Sequence, residues 1–151
     1  MKKERFKLIP AVFLIFRRGD EVLLLRRANT GYQDGKYGLV AGHLDGDELA
    51  TDGIIREALE EAGVVVKPSD IRFVHLAHRL SRGSPGQERV DVFFETHAWH
   101  GEITNMEPEK CDDLSWHSVD HLPKNTIPVV KQILQHAANN VFYSEYTEEP
   151  R

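Results

Sequence analysis

Between Gly42 and Val64 the chain runs GHLDGDELATDGIIREALEEAGV, and its second half admits few conformations other than a helix. Ala50 to Ala62 carries a helical period, and Gly63 stands where a residue in the left-handed region ends such a helix. On a wheel of roughly 100° per residue, Glu57, Glu60 and Glu61 share one face, because positions i, i+3 and i+4 are neighbours. Ile55, Ala58, Leu59 and Ala62 fall on the opposite side and read as the buried stripe. Three like charges so close repel by a few tenths of a kcal/mol per pair, roughly, in water, so something should offset them. A hard divalent cation, Mg²⁺ first and Mn²⁺ as its substitute, suits oxygen ligands of this kind and is usually shared with substrate phosphates. On spacing alone the competing reading is a solvated acidic face.

The rest of the chain bounds the setting. With 151 residues, 40% hydrophobic and 28% charged, it has the size and composition of one globular domain spanning 1–151, and no apolar run is long enough to span a bilayer. The basic head and short apolar stretch from Met1 to Phe16 are interrupted by Pro10 and lack a cleavage site, so they read as a first strand, not a leader. Cys111, the one cysteine, suits a reducing compartment, with the cytoplasm as the default. A net charge of −5 argues against a general binder of nucleic acid polymers, yet leaves small anionic substrates open, since a cation inverts the local charge of an acidic site.

Phe6–Phe16 and Glu21–Arg27 read as strands joined by a hairpin turn at Arg18-Gly19-Asp20. Asn29 to Gly38 holds three glycines and reads as a surface loop, with a short strand at Tyr37–Val40 behind it. Ile71–Leu80 and Arg89–Trp99 are expected strands separated by a loop at Ser81–Gly86, and Leu114–Val119 is a shorter one. A second amphipathic helix is expected at Pro128–Ala138, on a stripe of Val129, Val130, Ile133, Leu134 and Ala137. The polar, acidic tail beyond it, about 140–151, reads as loose.

The longer pattern around the acidic helix resembles a known motif. Gly42, five residues, Glu48, seven residues, then Arg56-Glu57-Ala58-Leu59-Glu60-Glu61-Ala62-Gly63-Val64 resembles the Nudix box, with every fixed charged and glycine position matched. The resemblance implies an α/β fold, a Nudix-type α/β/α sandwich around a mixed β-sheet, and a hydrolase acting on the phosphoanhydride of a small nucleotide-like diphosphate. It implies Glu57, Glu60 and Glu61 as metal ligands, assisted by the backbone carbonyl of Ala41. Arg56 would pair with Glu48 and orient the carboxylates, a role that a planar guanidinium fork suits, and Gly42 would let the backbone approach closely. Ala58 is small for its aliphatic slot, Leu49 replaces a commonly polar residue, and Gly53 inside the helix should cost about 1 kcal/mol relative to Ala.

A second stretch, Asn105-Met106-Glu107-Pro108-Glu109-Lys110-Cys111 followed by Leu114-Ser115-Trp116 and Leu122-Pro123, resembles MutT-type nucleoside triphosphate pyrophosphohydrolases. It implies a further carboxylate at the metal site, Glu107 before Glu109, with an acidic loop of no catalytic part as the alternative. The favoured substrate on this resemblance is a nucleoside triphosphate, cleaved to monophosphate and pyrophosphate. ADP-ribose or a sugar nucleotide is second, and a binding module without turnover is the rival from another class. Substrate contacts are expected at the rim from Tyr32, Arg79, Arg82 and His43, with Asn125 a further candidate, because aromatic faces stack on bases and Arg binds phosphate. Tyr37 and Trp116 read instead as sheet core. His75/His78 and His97/His100 lie three apart in expected strands and so point to opposite faces, which disfavours a zinc site. A homodimer is common in the family, though no residue here demonstrates one.

Overall fold

A computed structural model describes residues 2–82 and 87–148 of the chain. Its organising element is β1 (Ile9–Arg18), whose alternate residues enter two separate cores. Val12, Leu14 and Phe16 face a cluster completed by Ile54, Ala58 and Ala62 of α1 (Ala50–Ala62). Phe13 and Ile15 face the other, completed by Val130, Ile133, Leu134 and Ala137 of α2 (Pro128–Ala138). A strand covered on both sides needs no polar face, which is why β1 is apolar at consecutive positions.

A turn with Gly19 at φ +62° sends the chain back as β2 (Glu21–Arg27), which pairs with β1 only at Arg17↔Val22 and Arg18↔Glu21. Beyond that point β2 pairs with β3 (Tyr37–Gly38) and with a later strand at Cys111–Ser118. The edge of β1 that β2 leaves is taken up by β4 (Val40–His43), from Ala11↔His43 to Leu14↔Val40. On its other edge β1 runs parallel to β6 (Arg89–Thr96), which pairs antiparallel with β5 (Ile71–Ser81). The Cys111–Ser118 strand is β7. The result is a mixed sheet with α1 on one face and α2 on the other, the α/β/α sandwich expected from the sequence.

Several details differ from the expected elements, beginning with β1 itself, which starts at Ile9 and not at Phe6 and runs on to Arg18. The strand expected over Tyr37–Val40 is divided at Leu39, so that β3 and β4 join different neighbours. β6 stops at Thr96, short of Trp99, which stacks on Trp116 at 5.7 Å and meets Phe16 edge-on at 5.4 Å. β7 starts earlier than Leu114, at Cys111, because its ladder with β2 runs back to Arg27↔Cys111. The tail is not loose over its described part: Tyr143–Glu148 forms β8, parallel to β5. Of the loop expected at Ser81–Gly86, residues 83–86 lie outside the described residues, as do residues 149–151 of the tail.

Strand β8 is held by polar contacts that hydropathy does not signal. Fully buried His75 places Nδ1 at 2.7 Å from the Val141 carbonyl and Nε2 at 2.7 Å from Ser144 Oγ, while its ring stacks on His136 of α2 at 5.1 Å. Tyr146 donates to Asp91 Oδ2 at 3.0 Å, and Arg79 meets Glu148 at 2.7 Å.

At the opposite end of the sheet, Glu95 joins β1, β5 and β6. It accepts from Arg17 Nε at 2.7 Å and from Arg72 Nη2 at 3.1 Å, with 7% of its side chain exposed. Burial alone would raise this carboxyl, but the two guanidinium partners together with His97 hold it below its usual value. A carboxylate depressed in the folded state stabilises fully above its unfolded pKa of about 4.3, and that contribution disappears as acid titrates it through the lower folded value. We expect Glu95→Gln to destabilise at pH 7 by roughly 3 kcal/mol, the usual cost of breaking a buried pair. The gap from the parent should close below about pH 4 in urea melts followed from pH 7 to pH 3.

Candidate active site

The acidic helix begins without a side-chain cap at Leu49; the loop before it is closed by Glu48, whose Oε1 accepts from the Asp45 amide at 2.9 Å. Arg56 reaches back onto the same carboxylate through Nη2 at 2.8 Å and Nε at 3.3 Å, a two-pronged contact that fixes the loop to the helix. It also bonds Glu57 Oε1 at 2.8 Å, the His43 carbonyl at 3.2 Å and Glu60 Oε1 at 3.4 Å. Gly53 has its reason here: a Cβ at that position would collide with Leu44 and crowd the Glu48 carboxylate. Helix propensity was given up so that the loop can lie on the helix.

The buried side of α1 is turned toward the carboxylates, not away from them. Gly53, Ile54, Glu57, Ala58 and Ala62 are buried, whereas Leu59, expected in the stripe, is 52% exposed. The expected stripe is thus displaced by about one residue around the wheel, so that Glu57 and Glu61 are brought in against β4. The Glu57 carboxylate lies over the bare Cα of Gly42, in the space that any side chain there would fill. Glu61 Oε1 accepts from the Ala41 amide at 3.3 Å. N–H and C=O of one strand residue leave by the same edge, so the Ala41 carbonyl is turned to the same helix.

Glu57 and Glu61, one turn apart, face each other, and burial followed by the charge of Glu57 pushes the Glu61 carboxyl well above the usual range. Burial raises Glu57 also, against the pull of Arg56. Two adjacent carboxylates withdrawn from water in this way are an all-oxygen donor set whose charge Arg56 offsets only from the Glu57 side, which fits Mg²⁺ or Mn²⁺. Glu60, half exposed and held by Arg56, stands at the rim. Among the described residues no three carboxylate, histidine or cysteine side chains come together closely enough to hold a metal ion, so the convergence expected of Glu57, Glu60 and Glu61 is reduced to the Glu57–Glu61 pair.

A further carboxylate comes from elsewhere in the chain. The Thr104 amide bonds the Ala62 carbonyl at 2.9 Å and the Met106 amide bonds the Glu61 carbonyl at 3.3 Å, occupying helix-end acceptors that have no partner within the helix. The next residue, Glu107, thereby comes beside Glu61 and shares a cleft of about 310 Å³ with Glu57, Glu60 and Glu61. Glu109 is exposed and does not line it. The cleft is also lined by Arg27, Thr30 and Lys110, none of which was singled out from the sequence. Lys110 Nζ lies 3.5 Å from Glu107 Oε2, and Arg27 is fixed by the Tyr32 carbonyl at 2.7 Å and Thr30 Oγ1 at 3.1 Å. The available signals were the position of Arg27 at the last residue of an apolar strand before a glycine-rich loop, and Lys110 three residues beyond Glu107.

The four substrate-contact residues expected from sequence do not line this cleft. Arg79 is buried and meets Glu148 at 2.7 Å and Tyr32 Oη at 3.3 Å. His43 feels the charges of Arg89, Asp91 and Arg79, and desolvation first, then Arg89, lowers its pKa. Arg82 sits in an exposed turn after β5. Asn125 donates to the Gly35 carbonyl at 2.8 Å, and Tyr37 is buried with its hydroxyl on Asp113.

The NUDIX domain family matches residues 7–137, a span that contains every residue of the cleft. Among curated relatives, the NAD-capped RNA hydrolase NudC of Pseudomonas aeruginosa is 31% identical over 130 residues, 86% of this chain and 42% of that protein. The Chromobacterium violaceum protein of the same name is 28% identical over 137 residues, 89% of this chain and 48% of that one. The chain thus spans less than half the length of these relatives. Among solved structures, a MutT NUDIX hydrolase from Burkholderia pseudomallei superposes with a TM-score of 0.78 at 22% identity, over 87% of this chain and 98% of the other. A MutT protein from Bacillus halodurans gives 0.78 at 22%, over 95% and 92%.

Because a methyl group on Gly42 would occupy the place of the Glu57 carboxylate, Gly42→Ala should leave a folded protein that holds a cation poorly. Mn²⁺ titration followed by electron paramagnetic resonance is expected to show affinity weakened by about tenfold or more, the usual penalty for disturbing the support of a ligand. Parent affinity in the variant would mean that Glu57 is not placed for a metal.

Proposed function

The chain belongs to the NUDIX family, and from that premise we propose that it is a Mg²⁺-dependent hydrolase of a phosphoanhydride bond in a nucleoside diphosphate linked to a further group, with Mn²⁺ as a substitute. A nucleoside triphosphate, cleaved to monophosphate and pyrophosphate, is the favoured substrate. The observation that carries this reading is that Glu57, Glu60, Glu61 and Glu107 line a single cleft together with Arg27 and Lys110.

The basic and acidic groups of the cleft have separate tasks. Arg27 and Lys110 bind the phosphate chain, and Arg27 enters with its guanidinium already oriented by Tyr32 and Thr30. Glu57 and Glu61, with the Ala41 carbonyl, would hold the cation, and Glu60 would assist from the rim. When bound, Mg²⁺ withdraws charge from the phosphoryl oxygens and favours departure of the phosphate leaving group. Of the carboxylates, Glu107 is the one neither clamped by Arg56 nor set against β4, so it is placed to take the proton. A water oxygen forms the new bond to phosphorus, the bridging P–O bond breaks toward the leaving phosphate, and the water proton passes to Glu107. Arg56 and Glu48 act on the geometry of this set, not on substrate.

The names of the NudC relatives favour a second reading, in which the bond cut joins two nucleotides, as in NAD or an NAD-capped RNA end. The buried Cys111 suits a reducing cytoplasm for either substrate.

A panel of nucleoside triphosphates, ADP-ribose, NAD and a short NAD-capped RNA, assayed with Mg²⁺ and Mn²⁺ for released pyrophosphate or mononucleotide, distinguishes these substrates. We expect metal-dependent turnover of a triphosphate above the others. Glu60→Gln and Glu61→Gln should each lower kcat by roughly 10²-fold or more while the protein stays folded. Turnover unchanged by chelation of the metal would overturn the reading.

A further inference from the structure

The loop that delivers Glu107 is tied at two ends to different parts of the fold. Residues 104 and 106 are bonded through their amides to the last carbonyls of α1, and Cys111 is the first residue of β7. One side chain bridges the two ends. Asn105 Nδ2 donates to the Cys111 carbonyl at 2.7 Å, and Asn105 Oδ1 accepts from the Glu107 amide at 3.1 Å. The Glu107 carbonyl in turn accepts from the amides of Lys110 and Cys111, both at 2.9 Å. Every backbone polar group of Glu107 therefore has a partner inside the loop, and the amide of Asn105 is the cross-strut that sets its position against Glu61.

We propose that Asn105 is a positioning residue for the reaction, acting through Glu107 by holding its backbone between the end of α1 and the start of β7. The role needs a side chain that donates and accepts at once over one short reach. Asn meets that need; Asp has no donor, and Ala has neither group. This inference rests on the assignment of Glu107 as the proton acceptor. Displacing a reacting group by about 1 Å can cost roughly 10²-fold in rate, so a strut of this kind acts on kcat and leaves substrate affinity to Arg27 and Lys110.

A double-mutant cycle tests it, with Mg²⁺ and whichever nucleotide of the panel has the highest kcat/KM. Asn105→Ala and Asn105→Asp should each lower kcat by about 10- to 100-fold with KM within about threefold of the parent. In a Glu107→Gln background Asn105→Ala should change kcat by less than about twofold, because the group it positions is already gone. In the metal-free protein, amide exchange at Glu107 should quicken by about tenfold or more in Asn105→Ala, which removes its acceptor, while the middle of α1 keeps its protection. If Asn105→Ala does not fold, the same size-preserving cycle with Asn105→Asp decides the matter. Parent kcat in the Asn105 variants, unchanged exchange at Glu107, or fully additive losses with a slow Glu107→Gln would overturn the positioning role alone. Parent kcat in Glu107→Gln would instead remove Glu107 as the acceptor, and the inference with it.

Discussion

One guanidinium sustains the acidic end of this molecule. Arg56 distributes its N–H groups over Glu48, Glu57, Glu60 and the His43 carbonyl, so a single side chain closes the loop before α1 and partly neutralises the carboxylates on the helix. A guanidinium stays charged at any pH at which the protein is folded; its bonds to Glu48 and Glu57 raise its pKa further. It nevertheless leaves the pair formed by Glu57 and Glu61 short of positive charge, and the remaining deficit is what a divalent cation would supply. The geometry of β4 follows from the same requirement. Gly42 has no side chain because the Glu57 carboxylate needs that volume.

The sheet supports this arrangement by giving the two helices separate cores. Alternate residues of β1 serve α1 and α2 in turn, so each helix packs on its own apolar layer. The acidic residues of α1 therefore sit at the margin of one layer without disturbing the other. On the far face, polar contacts of His75, Arg79 and Asp91 take over from apolar burial to hold β8.

Periodicity made most of the fold legible. The β1–β2 hairpin, the bounds of both helices and the glycine that ends α1 were all readable from residue patterns, because each rests on a local rule of turn or cap chemistry. β8 was not, since the inward residues Ser144, Tyr146 and Glu148 are polar and find their partners on β5 and β6, far off in sequence. The motif placed Glu48, Arg56, Glu57, Glu60 and Glu61 in one neighbourhood, yet the wheel assigned the helix a buried stripe that includes Leu59 and leaves Glu57 outside. A wheel gives spacing and not the direction from which the sheet approaches. Arg27 and Lys110 escaped notice for a related reason. Nothing about a strand-terminal arginine or a loop lysine reveals that β2 and the Glu107 loop close on the same cleft.

Leu39 alone separates β3 from β4. The loop that carries Thr30 and braces Arg27 leads into β3, and Ala41 and Gly42, against which Glu61 and Glu57 lie, are on β4, so these two stretches of backbone are joined through one residue. Each strand is also fixed to its own partner, β3 to β2 and β4 to β1. Shifting one stretch against the other would mean unzipping a ladder. The spacing between these two stretches is therefore a property of the backbone, which a change of side chain in the cleft would leave in place.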